Sequence, residues 1–313
     1  MPAISIRGTE MPASPIRKLA PLADAAKQRG VHVFHLNIGQ PDLPTPQVAI
    51  DAIRNIDRKV LEYSPSAGYR SYREKLVGYY DKFNIKLTAD DIIITSGGSE
   101  AVLFSFLACL NPGDEIIVPE PAYANYMAFA ISAGAKIRTI ATTIEEGFSL
   151  PKVEKFEELI NERTRAILIC NPNNPTSSAI MQEDLRKLIA FCADKDIFVM
   201  IDETYVEFAP DVDEITAIPL TREFTNLMVL RGVSKFYAAP GMRLGYGITG
   251  NMEFLSKMRE KQTPWSLNSL GAFAGELMLR DHDYIQKTRD LILDERDRMA
   301  VSYTHLRAHE TSA

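Results

Sequence analysis

Lys235 is the residue whose setting first suggests chemistry. It stands in VLRGVSKFYAAPGMRLGY, just past a short apolar run. Val233, Phe236 and Tyr237 flank it. Partial desolvation by such neighbours lowers a lysine pKa and frees the amine as a nucleophile. A lysine in that place, taken alone, is more often a solvated surface charge. Arg243 follows in the same stretch. Its guanidinium fork suits a phosphate, in a charge-assisted bond of about 1.5–3 kcal/mol; the plain alternative is a surface ion pair.

Four other segments carry residues of the same kind. SGGSE, residues 96–100, lies between an apolar run and a helical pattern. Gly98, Ser99 and Glu100 there would open a helix whose free N–H groups and dipole favour an anion. The segment is neither GxGxxG nor GxxxxGK[ST], and a plain strand-to-helix turn with a serine cap has the same look. Asp202 ends the run FVMID. A carboxylate at a buried strand end is costly unless it is paired, and a protonated heteroaromatic nitrogen would pair with it. Helix capping or an ordinary salt bridge is its alternative. Tyr123, three residues before Tyr126 in PEPAYANY, could stack on a flat ring or simply fill the core. Asn174 in NPNNPT could donate to a ring oxygen, or belong to a proline-stiffened turn.

These residues need elements to position them. Seven short apolar runs are expected as strands: IIIT (92–95), EIIVP (115–119), AKIRTI (135–140), AILIC (166–170), FVMID (198–202), LMVLR (227–231) and RLGYGIT (243–249). Amphipathic periods lie between several of them, such as Val153, Phe156, Leu159 and Ile160, or Leu185, Leu188, Ile189 and Cys192. Runs apolar on both faces that alternate with helices predict an α/β fold with a mainly parallel sheet covered on both sides. Ligands in such sheets sit beyond the carboxyl ends of the strands. Five of the seven strand ends here carry SGGSE, PEPAY, NPNNPT, DETY and SK. Ahead of the sheet, Pro2, Pro12, Pro15 and Pro21 predict an extended arm, followed by a short helix near residues 19–27. Helical spacing recurs at Val48, Ala52, Ile53 and Ile56, and at Tyr72, Leu76, Tyr80 and Phe83.

Composition excludes several classes. The 313 residues are 46% hydrophobic and 24% charged, with a net charge of −6 from 35 Lys+Arg against 41 Asp+Glu, which argues against a general nucleic-acid binder. No run is long and apolar enough for a membrane span, and the first residues lack the apolar stretch of a secretory signal. Cys109, Cys170 and Cys192 form no CxxC pair, so no metal site is expected. Packing thiols and a reducing cytoplasm fit them.

Taken together, GGSE, PxPxYxxY, NPNNPT, DETY and SKxxxxPGxRxGY resemble the class I/II aminotransferases, the fold-type I pyridoxal phosphate enzymes, over residues 37 to about 300. The NIGQPD and PGMRLGY segments look most like the aspartate/aromatic/alanine branch. The resemblance implies a seven-stranded large domain over residues 46–285, preceded by an arm and small-domain segment over 1–45. The start of an interdomain helix is expected over 286–300. It implies pyridoxal 5'-phosphate as cofactor, an L-amino acid and a 2-oxo acid as substrates, and a homodimer with shared active sites. Lys235 would hold the cofactor covalently and move the substrate proton. Asp202 would bind the ring nitrogen, with Tyr205 and Asn174 at the ring oxygen and Tyr123 stacked on the ring. Gly98, Ser99, Glu100, Ser234 and Arg243 would hold the phosphate. Tyr63 would reach the cofactor of the neighbouring subunit, and Asn268 is a weaker match to another such contact. Gly39 and Asn174 would contact substrate.

The sequence departs from the family pattern in three places. Ser177 stands where a glycine is usual, and Gly232 where many members have serine. Residues 301–313, VSYTHLRAHETSA, lose the family look and read as a non-native junction or truncation. A truncated chain would lack the arginine that clamps the substrate carboxylate in the family, and poor cofactor binding or slow turnover is then expected. The alternatives are a carbon–sulfur β-lyase of the same fold, an inactive fragment, or a cofactor-sensing regulator. The last is disfavoured by the negative charge and the early start of the motifs.

Overall fold

The computed structural model describes residues 3–12 and 17–310. Pro2, Pro15 and residues 311–313 lie outside the described residues. Two short helices come first, α1 (Ile6–Glu10) and α2 (Ala20–Gln28), and the expected helix near residues 19–27 is the second of these. Then come α3 (Gln47–Arg54) and α4 (Arg70–Asp81). In α4, Tyr72, Leu76, Tyr79 and Tyr80 fall on one stripe and all are buried.

All seven predicted strands form: β1 (Ile92–Thr95), β2 (Glu115–Glu120), β3 (Lys136–Ala141), β4 (Thr164–Cys170), β5 (Phe198–Asp202), β6 (Leu227–Gly232) and β7 (Gly245–Ile248). They make one sheet in the order β1-β7-β6-β5-β4-β2-β3. Every pairing is parallel except those of β7, which runs antiparallel to both β1 and β6. Between and after the strands lie α5 (Gly98–Cys109), α6 (Asn125–Ala133), α7 (Val153–Leu159), α8 (Gln182–Ala193), α9 (Val212–Ile215), α10 (Met252–Lys261), α11 (Ser269–Met278) and α12 (His282–Glu310).

The strands divide their side chains between two cores. Ile92, Ile94, Ile167, Ile169, Val199 and Ile201 point into one, with Leu76 of α4 and Leu188 of α8. Ile93, Ile116, Val118, Leu168, Met200 and Met228 point into the other, with Phe106 of α5 and Met258 of α10. Period-two alternation sends neighbours to opposite faces, so a run apolar throughout is a strand buried on both sides. The edge strand β3 departs from that expectation and is largely open to solvent.

Two boundaries shift. The run expected from Arg243 begins as a strand only at Gly245, because Arg243 adopts φ 51°, incompatible with a pleat. The helix expected over residues 286–300 starts at His282 and continues to Glu310.

Candidate active site

Topology gathers the chemistry at one rim of the sheet. β1, β2, β4, β5 and β6 end on the same side. Antiparallel β7 begins there, which is how Arg243, just ahead of it, reaches a site built from strand carboxyl ends. A cavity of about 210 Å³ opens at this rim. Gly98, Ser99, Tyr123, Asn174 and Asp202 line it, as do Tyr205, Ser234, Lys235 and Arg243. Nine of the residues singled out in the sequence thus share one wall.

The turn after β1 is built for an anion. Gly97 caps α5 at φ 87°, a conformation that L side chains rarely adopt. A Cβ there would come within 2.4 Å of the Arg243 guanidinium, so the bare backbone lets that cation lie flat over the turn. Gly245 is needed for the same packing, since its Cβ would stand 2.3 Å from the Gly97 carbonyl carbon. Arg243 donates only to main-chain oxygens, Pro240 O at 3.1 Å and Ser96 O at 3.3 Å. Among the described residues no carboxylate pairs with it, and it is not the surface ion pair of the plain alternative. The cap is Gly97 rather than a serine, and no side chain caps the helix.

The side chain of Glu100 is turned away from the expected phosphate site. Its carboxylate accepts from the Ser96 N–H at 2.5 Å and does not line the cavity. A carboxylate has no proton to offer a phosphate, and this one instead closes the turn on itself.

Asp202 is buried at the end of β5. Tyr126 Oη donates to its Oδ2 at 2.7 Å, and the Thr204 N–H and hydroxyl donate to its Oδ1 at 3.0 and 2.6 Å. All three donors favour its negative charge. Neither Tyr126 nor Thr204 was singled out as a site residue from the sequence. A threonine two places after a carboxylate is a recognised local hydrogen-bonding pattern and was the available signal; the Tyr126 contact joins α6 to the end of β5 and had none. Burial and the nearby Asp202 charge raise the Tyr126 phenol well above its ordinary pKa, so it remains a donor.

Lys235 is half-buried, and burial lowers its pKa below the ordinary lysine value. Its Nζ donates to Gly39 O at 2.5 Å and lies 5.9 Å from the centre of the Tyr205 ring. Tyr205 shares a long 3.5 Å contact with Asn174 Nδ2. Burial pushes the Tyr205 phenol up to about 12, which keeps it a neutral hydroxyl. Tyr123 meets Tyr126 edge-on, with ring centres 5.4 Å apart. Cys170 also lines the cavity, and burial raises its thiol to about 12, so it is inert.

Two predicted residues lie away from the cavity. Tyr63 is 79% exposed and packs against Trp265, 5.0 Å between ring centres. Asn268 caps α11, its Oδ1 accepting from Leu270 N at 3.1 Å. Of the two single-residue departures, Gly232 lines the cavity against Gly98. Ser177 holds φ 62°, the left-handed conformation that explains the usual glycine.

The residues fit a phosphorylated heteroaromatic aldehyde. The Arg243 guanidinium and the glycine turn would take its phosphate. The buried Asp202 carboxylate would take a ring nitrogen, Tyr205 and Asn174 a ring oxygen, and Lys235 the aldehyde carbon.

The profile of the family described as "Aminotransferase class I and II" matches residues 31–309. The chain is 28% identical over 312 residues to an aspartate aminotransferase of Thermotoga maritima, covering 96% of this chain and 81% of that one. It is 33% identical over 238 residues to an aspartate aminotransferase of Pyrococcus abyssi, covering 74% of this chain and 60% of that one. The solved aspartate aminotransferase of Thermus thermophilus with maleate superposes with a TM-score of 0.86 at 26% identity, over 98% of this chain and 81% of that one.

Proposed function

The chain belongs to the class I and II aminotransferases, and on that premise we propose that it moves an amino group between an L-amino acid and a 2-oxo acid, using pyridoxal 5'-phosphate. The observation that carries the reading is the shared cavity of Lys235, Asp202, Arg243 and the Gly98 turn. Arg243, the α5 N-terminus and Ser234 hold the phosphate, with Ser99 at its open side. Asp202 holds the ring nitrogen protonated, Tyr123 covers a ring face, and Tyr205 with Asn174 binds the ring oxygen. When bound, the cofactor supplies an electron sink for charge that develops at the substrate Cα.

Lys235 does the rest from this chain. Burial lowers its pKa and so raises the share of neutral amine open to covalent attachment, and once displaced the same amine takes the proton from Cα. Gly39 O, which now accepts from that amine, sits where the chain closes over the substrate. The working molecule is a homodimer, in which Tyr63 extends to the partner's site. Its exposed position beside Trp265 supports that reading. A cytoplasmic location fits the three free cysteines, none within a disulfide. Among the described residues no helix is long and apolar enough to cross a membrane.

The test is chemical. Pyridoxal phosphate is added to the purified chain, the adduct is reduced with borohydride, and the labelled peptide is identified by mass spectrometry. Label on Lys235, absent in Lys235→Ala, is expected. Amino acids added without reduction should change the visible absorbance of the bound cofactor, and a 2-oxo acid should restore it. Label spread over surface lysines would overturn the cofactor assignment. Pyruvate and ammonia released from cystathionine without an oxo-acid acceptor would replace transamination with β-elimination.

A further inference from the structure

A buried ionic cluster lies directly behind the cavity, and no role above uses it. Arg231, on β6, is 2% exposed, and Glu203, one residue past Asp202, is fully buried. Arg231 donates through Nε and Nη2 to Glu203 Oε2 at 3.0 and 2.6 Å, and through Nη1 to Glu207 Oε1 at 2.7 Å. Glu203 also accepts from the Thr216 hydroxyl at 2.9 Å and the Ala217 N–H at 2.5 Å. Both of its oxygens are therefore paired within the protein, and neither is open to solvent.

The backbone around this cluster touches three parts of the site. Leu230, beside Arg231, is the register partner of Asp202, and Leu230 O accepts from the Glu203 N–H at 2.9 Å. The Arg231 carbonyl oxygen lies 3.8 Å from where a Cβ on Gly98 would stand. Ser234 and Lys235 follow three and four residues on. From the far side, Arg289 of α12 donates to Glu207 O at 2.9 Å and to Ala209 O at 3.2 Å, fixing the segment that carries the second acid.

We propose that Arg231 is a positioning residue: its fork on Glu203 and Glu207 sets Asp202, the Gly98 turn and Lys235 at their mutual spacing. This rests on the cofactor reading above. A buried ion pair is a poor source of net stability, because desolvation offsets the attraction, and well-packed apolar residues often replace it at no loss. Its planar fork does fix the relative position of two strand ends. Stability and cofactor positioning should therefore separate under substitution.

The experiment compares Arg231→Lys, the paired change Arg231→Met with Glu203→Met, and Arg222→Met as a control. Arg222 pairs with Asp91, ahead of β1 at the opposite rim of the sheet. For each, the melting temperature of the cofactor-free chain, the pyridoxal phosphate Kd and the absorbance maximum of the lysine-bound cofactor are measured. The paired apolar variant is expected to melt near the parent and bind the cofactor at least about tenfold more weakly, with a displaced maximum. Arg231→Lys should keep the fold and weaken binding in the same direction, and it decides the matter alone if the paired variant does not fold. Arg222→Met should lose stability and leave Kd unchanged. Parent-like Kd and absorbance in Arg231→Lys and in any folded paired variant would overturn the proposal. Failure of the parent to bind pyridoxal phosphate at Lys235 would instead overturn the cofactor reading.

Discussion

At the scale of single residues, charge state and backbone conformation carry the predictions. Lys235 has its pKa lowered by burial, whereas exposed Lys257 has its own raised by the Glu253 carboxylate. A lowered pKa keeps the amine neutral to lower pH, so reactivity at Lys235 falls off only at more acid pH than at Lys257. Reductive methylation of the cofactor-free chain with formaldehyde, followed by peptide mapping across pH, should show that order; equal midpoints would refute it. Tyr126→Phe removes one of the three donors on Asp202. A hydrogen bond to a charged group contributes about 1.5–3 kcal/mol, so cofactor affinity should fall roughly 10- to 100-fold with the fold intact, as a Kd titration would show. Ser177 sits at φ 62° without the freedom of glycine. Ser177→Gly should raise stability by about 1 kcal/mol, read as a higher midpoint in urea.

At the scale of elements, the site depends on two backbones touching. The end of β1 and the start of β7 approach so closely at Gly97 and Gly245 that neither tolerates a side chain. Gly245→Ala would place a methyl 2.3 Å from the Gly97 carbonyl carbon. Main chain cannot swing aside as a side-chain tip can, so a loss of about 3 kcal/mol is expected, with cofactor affinity lost alongside. Thermal melting of the variant with and without pyridoxal phosphate would test both halves, and parent-like values would refute the argument. The strands themselves were legible because they are apolar on both faces and bounded by turn residues. Their boundaries were less so. Arg243 looked like part of a strand, and only its left-handed backbone sets it apart as the turn that presents a guanidinium.

At the scale of the whole molecule, surface is the informative quantity. The chain exposes 17312 Å². A compact monomer of 35.0 kDa is expected to expose about 13000 Å². Large apolar side chains stand exposed on the N-terminal part of the chain, among them Ile4, Ile6, Phe34 and Leu36. Such surface supports the proposed homodimer, because obligate homodimer interfaces are large and apolar. Sedimentation velocity should then give a dimer, and removing residues 1–30 should shift it toward monomer; a monomer in the intact chain would count against shared sites.

Sequence alone determined the seven strands, the family and nine of the sixteen residues that line the cavity. Those features follow from local pattern: strand periodicity, glycine turns, and polar residues crowded where a parallel sheet must bind its ligand. The tertiary structure decided which way each group is used. It turned the Glu100 side chain back onto its own turn, gave Asp202 its donors Tyr126 and Thr204, and set Arg243 on main-chain oxygens, with no carboxylate partner among the described residues. It also buried Arg231 between two glutamates behind the site, where LMVLR had looked like one more apolar strand. The physical reason is that a charged group takes its meaning from the partners that desolvate or pair it. Here those partners come from strands far apart in sequence and adjacent only in the sheet.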